Sequence, residues 1–275
     1  LFDDYSNRSD ALPSTLQFIG SKWGNHTNYV RQTEHLEGDA RKRAQYQLYI
    51  KSYLRCVRGV DDNVGRILDY LDESGLAENT IVIHNSDHGG VIARSKRFLF
   101  NSGTHCPLII RIPEKYNDLR PGEPGEKIED IVSFIDMTKT WLDICGAETP
   151  DYLQGKVFLG PNAEDRDYHV SFRGRMDERC DNVRAIRDEN DFLYIRNYMP
   201  YAPWGQHLNY LWTMKATQAW EAHHEAGLTD EITGRFFGTK PMEELYDTSV
   251  DPDNVNNLID DPAYAEDIAR LSQAM

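Results

Sequence analysis

Residues Asn79 to Pro113, reading NTIVIHNSDHGGVIARSKRFLFNSGTHCPLIIRIP, constrain the fold more than any other stretch of the chain. Two β-branched apolar runs, Thr80 to His84 and Pro107 to Ile110, are short, uncharged inside and bounded by turn residues, which predicts buried strands. Between them lies a dense polar cluster. Asp87 and His88 follow the first run directly, Gly89 and Gly90 favour a turn, and Lys96 and Arg97 precede the return to the sheet. In an open α/β sheet ligands bind beyond the carboxyl ends of the strands, so a carboxylate and an imidazole at that edge stand where chemistry is usually done. A strand-to-turn Asx hydrogen bond beside a solvated basic loop is the alternative reading of the same residues.

The chain has 275 residues, 40% of them hydrophobic and 11% aromatic, enough to bury a full core. Its net charge of -15 opposes nonspecific binding to nucleic acid and to anionic membranes, so an anionic substrate has to be held by local basic groups. No apolar run reaches the ~20 residues that span a bilayer. Leu1 is not a methionine, and Phe2 to Asn7 reads like mid-protein sequence, so the beginning of the protein is expected to be missing. Cys56, Cys106, Cys145 and Cys180 form no C-x-x-C pair, which excludes zinc-ribbon and redox readings on spacing and leaves small buried hydrophobes as their expected role. They leave the compartment open; a periplasmic or secreted setting is expected, with a cytoplasmic one the alternative.

Leu1 to Gly38 has little periodicity and reads as a long surface loop. A long helix follows, capped by Asp39, with an apolar stripe through Tyr46, Tyr49, Tyr53, Val57, Val60, Val64, Ile67 and Leu71, and it stops at Ser74 and Gly75. Asp61 and Asp62 in it read as a solvated face. Ile131 to Ile135 is expected to be a short strand, with Asp136 the N-cap of a helix that ends at Gly146. The alternation of strand and helix to this point predicts a layered α/β domain, residues 1–150, with a substantially parallel sheet. From 151 to 275 the pattern changes. Tyr168 to Phe172, Val183 to Arg187 and Asp191 to Asn197 read as closely spaced strands of an antiparallel sheet, followed by a helix from Trp212 to Ala226, a strand from Glu244 to Tyr246 and a helix from Pro262.

The central stretch resembles the sulfatases of the alkaline phosphatase superfamily: Ser86, Asp87, His88 and Gly89, then Lys96, Phe100, Ser102, Gly103, Thr104, His105, and Pro107 through Arg111 to Pro113 match their pattern in register. FIDMTKTWLDICG, YLQGKVFLG, RAIRDENDFLYIRNY and EELYDTSVDPDNVNNLIDDP match later motifs of that family. The resemblance implies an α/β fold, an alkaline-phosphatase-like layered α/β/α sheet with a smaller C-terminal antiparallel subdomain. It makes Asp87 and His88 two ligands of a divalent metal, usually calcium; because imidazole is not a preferred calcium ligand, magnesium or manganese stays open on ligand chemistry. It makes Lys96 the residue that contacts the ester oxygen and stabilises the charge growing on it as the S–O bond breaks. His105 becomes a substrate-binding candidate.

Sulfatases attack with a C/S-x-P-x-R residue oxidised to formylglycine, and no such motif occurs here, nor does the Asp-Asp metal pair of the family's first half; Asp3-Asp4 has neither the preceding strand nor the following motif. The chain therefore resembles the C-terminal portion of a sulfatase, with the formylglycine expected in a missing N-terminal half. Arg173, Arg175 and Arg179, with Asp177, follow a predicted strand, where three arginines can grip sulfate or carboxylate and Asp177 can accept bonds from sugar hydroxyls; a salt-bridged surface turn is the alternative. Trp204, His207, Tyr210 and Trp212 are either sugar-stacking rings or the packing of an irregular insertion. The expected activity is hydrolysis of a sulfated carbohydrate, with a phosphonate or phosphate ester hydrolase and a non-catalytic binding or assembly subunit as alternatives.

Overall fold

A computed structural model describes residues 31–90 and 94–275. In chain order its elements are helix α1 (Gly38–Glu73), strand β1 (Val82–Asn85), the short helix α2 (Asn101–Thr104), β2 (Leu108–Arg111), α3 (Phe134–Ile144), β3 (Tyr168–Met176), β4 (Arg179–Asp188), β5 (Phe192–Asn197), α4 (Asn209–Trp212), α5 (Lys215–Glu225), α6 (Glu231–Gly234), β6 (Glu243–Asp247) and α7 (Ala265–Ala274). The described chain divides into two compact units, 31–74 with Trp204–Gly238, and Gly75–Pro203 with Thr239–Met275.

In the first unit α1 starts after an extended Glu37, so Asp39 lies in the first helical turn and is not the cap. Its carboxylate is still well placed, since negative charge near a helix N-terminus is favourable. The helix ends as the sequence predicts, with Gly75 at φ 72°, a left-handed position glycine fills without strain. Arg58 pairs with Asp61 at 3.4 Å and Asp62 at 2.8 Å, which makes those two acids a solvated face. The apolar stripe differs from expectation: among the described residues Tyr53, Val57, Val60 and Ile67 are exposed. Most of the loop expected over Leu1 to Gly38 lies outside the described residues, and 31–33 are helical. Trp204 and Trp212 are buried, whereas His207 and Tyr210 are exposed. Of the four rings, two therefore pack inside the insertion, and Trp220 adds to that packing by stacking on Phe236 with centroids 4.6 Å apart and donating its indole N–H to the Thr233 carbonyl.

The second unit holds both sheets. β1 and β2 pair antiparallel, and β3-β4-β5-β6 form an antiparallel sheet of four strands, so the parallel pairing expected of the first 150 residues does not occur among the described residues. α7 lays Leu271 against Ile186, Tyr194 and Leu245, which together form the fully buried centre of this unit. No strand forms over Ile131 to Ile135. Ser133 is the N-cap of α3, and Asp136 sits three residues on, where its carboxylate accepts the Ser133 backbone N–H at 2.8 Å. The same buried carboxylate accepts Lys156 N–H at 2.8 Å and the Arg166 guanidinium, so the residue expected to cap the helix instead ties it to the following loop. Cys56, Cys145 and Cys180 are exposed, which corrects the burial expected of them; only Cys106 is partly covered.

Glu244 on β6 is almost fully buried. Burial pushes its carboxyl up to about 7, against the opposing pull of hydrogen bonds from Tyr246 and Asn197 and the charges of Arg94 and Lys240. A folded-state value above the unfolded one means that the folded protein holds the proton longer. The contribution of Glu244 to stability is therefore greatest below pH 4.5, falls as pH rises towards 7 and is level above it. The gap corresponds to about 3 kcal/mol. Glu244→Gln, which still offers Asn197 an acceptor, is expected to be up to about 3 kcal/mol more stable than the wild type at pH 8 and no more stable at pH 4.5. Urea unfolding at the two pH values checks this; the same gap at both would show that Glu244 does not titrate over that range.

Candidate active site

β1 ends at Asn85 and the chain turns at once. Ser86 donates its backbone N–H to Pro107 O at 3.3 Å and its hydroxyl to His88 O at 2.7 Å, which fixes the corner that presents Asp87 and His88. Gly89 then donates to Gly103 O at 3.2 Å. A Cβ on Gly89 would stand 1.9 Å from Ser102 O, and one on Gly103 would stand 2.3 Å from Phe98 O. Both glycines are required by the close approach of two backbones, not by a left-handed turn, since neither has positive φ. This contact brings the end of β1 against the loop that carries Lys96, whose own backbone N–H bonds Gly90 O at 3.2 Å.

Three of the candidate residues converge there. Asp87 Oδ2 lies 3.6 Å from His88 Nε2, and Lys96 Nζ lies 3.5 Å from the same nitrogen. His88 Nδ1 is 2.7 Å from Gly89 O. A carbonyl can only accept, so Nδ1 is the nitrogen that carries a proton here, and Nε2 is the one on the side of Asp87 and Lys96. Asp87 is mostly open to solvent, with 86% of its side chain accessible. Burial and then the Asp87 charge push the Cys106 thiol up.

Among the described residues no group of three or more His, Cys, Asp or Glu could hold a metal ion. Asp87 and His88 offer two donors, an oxygen and a nitrogen whose separation of 3.6 Å is under twice the ~2.3 Å that separates a divalent cation from its oxygen ligands. That donor set fits a share of one cation site.

The arginines do not join this group as a trio. They lie inside β3 and β4, not after a strand. Residues two apart on a strand share a face, but a bulge between Arg173 and Arg175 breaks the alternation. Arg173 turns inward, with its Nη1 3.5 Å from the buried Asp181 and its guanidinium 4.8 Å from the Phe98 ring centroid. Arg175 is exposed and donates to the Asp177 carbonyl at 2.9 Å, and Arg179 is exposed beyond the turn. Asp177 occupies that turn at φ 48°, with its carboxylate 4.0 Å from Arg97 Nε. Arg97 is buried and is no part of a solvated basic loop. His105 follows α2 and is exposed.

Two buried groups escaped the sequence reading. Lys240 Nζ lies 2.5 Å from Asp181 Oδ1, and both side chains are wholly inaccessible. Asn254 is buried with φ 53° and accepts the Asn101 backbone N–H at 2.8 Å through its side-chain oxygen. The one signal for Asn254 was its place in the closing EELYDTSVDPDNVNNL motif.

The Sulfatase family model matches residues 15–147. An ulvan-active sulfatase of Formosa agariphila is 34% identical over 243 residues, covering 87% of this chain and 38% of that protein. An N-acetylglucosamine-6-O-sulfatase of Bacteroides thetaiotaomicron is 27% identical, covering 96% of this chain and 41% of that protein. Among solved structures, a complex with the substrate D-glucosamine-2-N,6-O-disulfate superposes with a TM-score of 0.59 at 25% identity, over 89% of this chain and 43% of the other. A 2-O glycosaminoglycan sulfatase superposes with a TM-score of 0.54 at 19% identity, over 96% of this chain and 48% of the other, which bears on the fold alone. The chain thus spans less than half the length of these relatives. With the family model, the relatives and the mixed α/β fold in agreement, the chain belongs to the sulfatase family.

Proposed function

We propose that the protein to which this chain belongs hydrolyses sulfate esters of a carbohydrate, with Asp87 and His88 in its metal site and Lys96 at the leaving oxygen. The observation that carries this reading is the convergence of Asp87, His88 and Lys96 at the end of β1, within 3.6 Å of one imidazole nitrogen. Relatives named for ulvan and for N-acetylglucosamine 6-sulfate support a sugar sulfate as substrate. Sulfatases use a metal ion; we assign a single divalent cation here, calcium first by family, to which Asp87 would give a carboxylate oxygen and His88 its Nε2. When bound, the cation supplies positive charge to sulfate oxygens and alignment of the nucleophile.

Two residues of this chain have further roles in the proposal. The Gly89 carbonyl holds the His88 tautomer, leaving Nε2 free of a proton. Lys96 stabilises negative charge on the sugar oxygen as the S–O bond breaks. The nucleophile belongs to the C/S-x-P-x-R motif that this sequence lacks, so turnover requires the polypeptide that carries it, the N-terminal half of the same fold. The exposed Arg175 and Arg179 remain candidates for a second anionic group of the saccharide, whereas Arg173 serves the interior. A periplasmic or secreted setting is part of this proposal.

Sulfate release from N-acetylglucosamine 6-sulfate, followed by ion chromatography with the whole protein, tests the reading. Release that stops with a chelator and returns with calcium is expected. Phosphate release from a phosphate monoester in its place would favour the phosphoesterase alternative, and neither activity would leave a binding subunit.

A further inference from the structure

The closing motif runs more than 150 residues after the Lys96 loop, yet it binds that loop at four points, three of them at backbone carbonyls of the motif and the fourth through the buried Asn254 side chain. Arg94 Nη1 donates to Asp253 O at 2.7 Å and Arg94 Nη2 to Asn254 O at 2.8 Å. Asn101 Nδ2 donates to Pro252 O at 3.2 Å, and the Asn101 backbone N–H donates to Asn254 Oδ1 at 2.8 Å. Lys96 sits between these two anchors.

The segment that does the holding is itself tied down by hydrogen bonds. Asp251 Oδ2 accepts the backbone N–H of both Val255 and Asn256 at 2.8 Å, and Asn257 Oδ1 accepts the Leu245 N–H of β6 at 2.9 Å. Leu258 N–H returns to Leu245 O at 2.8 Å. Asn254 adopts φ 53°, which asparagine tolerates better than most residues, and this aims its amide oxygen at the start of α2. Phe100, immediately before that point, is buried between the Arg94 guanidinium, 3.6 Å from its ring centroid, and the edge of Tyr246, 6.1 Å away. Inside the loop, Ser95 Oγ donates to Ser102 O at 2.7 Å and Ser102 Oγ to Arg94 O at 2.9 Å, so a displacement at either anchor is passed to residue 96.

We infer that Asn254 and Arg94 are positioning residues for the leaving-group lysine: the closing motif clamps the Lys96 loop so that its ammonium stands beside His88. This rests on the sulfatase reading for its catalytic half only. The clamp itself is a statement about backbone order.

The test uses the whole protein with Asn254→Gly, which keeps the left-handed backbone but removes the acceptor, and Asn254→Asp, which keeps both. Hydrogen exchange of peptides covering 94–104 should quicken about tenfold in Asn254→Gly, the order of one hydrogen bond, with β3 and β4 unchanged and Asn254→Asp near the wild type. Turnover of N-acetylglucosamine 6-sulfate should fall about tenfold in Asn254→Gly, while that of 4-nitrophenyl sulfate, whose leaving group needs little help, stays within about threefold. Unchanged exchange at 94–104 overturns the clamp. Faster exchange with equal losses on both substrates overturns the positioning role and leaves a structural one. If the wild type releases no sulfate from either ester, the functional reading fails, and the exchange result still decides the clamp.

Discussion

Lys96→Ala is expected to lower turnover of a sugar sulfate by about 10²- to 10³-fold, the usual cost of removing one group that meets developing charge. An alkoxide is a poor leaving group, so the charge on its oxygen needs a cation as the S–O bond breaks. A nitrophenolate delocalises that charge and should lose roughly tenfold or less. Lys96 Nζ is 3.5 Å from His88 Nε2, so it stands next to the proposed metal ligand without being one. Comparing kcat on the two substrates separates the assignments: a steep loss on the sugar alone supports leaving-group stabilisation, and equal losses on both would make Lys96 a residue that binds the sulfate group.

Asp181→Ala should destabilise the protein by about 3–5 kcal/mol, the range for breaking a buried ion pair from one side. Asp181 is wholly buried and faces Lys240 at 2.5 Å and Arg173 at 3.5 Å, with Arg97 buried close enough to act on Arg173. Burial already pulls Lys240 and Arg173 below their ordinary values, and the Asp181 charge opposes that pull. Removing the carboxylate strips the counter-charge from buried cations that cannot reach water. Urea unfolding measures the loss, and a change under about 1 kcal/mol would mean that the cluster is hydrated or neutral in solution.

The sequence carried the local parts of this fold. The end of β1 before Asp87, the hairpin strands β3 to β5 and the stop of α1 at Gly75 were legible because each depends on neighbours within a few residues, whereas the burial expected of β1 and β2 was not, since Ile83 and Ile109 are exposed. What failed depends on what lies across space. Residue spacing says that Val57, Val60 and Ile67 share a face, but not what covers it, and here they are exposed. Asp136 looked like a cap, yet the capping hydroxyl is Ser133 and the carboxylate is the far half of the box. Arg173 and Arg175 looked like partners, and one bulged residue sent them to different environments. Gly89 was read through turn propensity and Gly103 only as part of a motif, but their need is room for a crossing backbone, which no local pattern records. The metal pair was legible only through its motif; composition alone left Asp87 and His88 as an ordinary strand-to-turn corner.

Metal content of the purified whole protein and its Asp87→Ala variant, measured by inductively coupled plasma mass spectrometry after dialysis, tests the metal assignment most directly. A lost carboxylate removes a ligand and part of the charge that holds the cation. The wild type should retain one divalent ion per chain, calcium before magnesium or manganese, and Asp87→Ala should retain little of it and release no sulfate. Full occupancy in the variant would contradict the assignment and move the metal away from the end of β1.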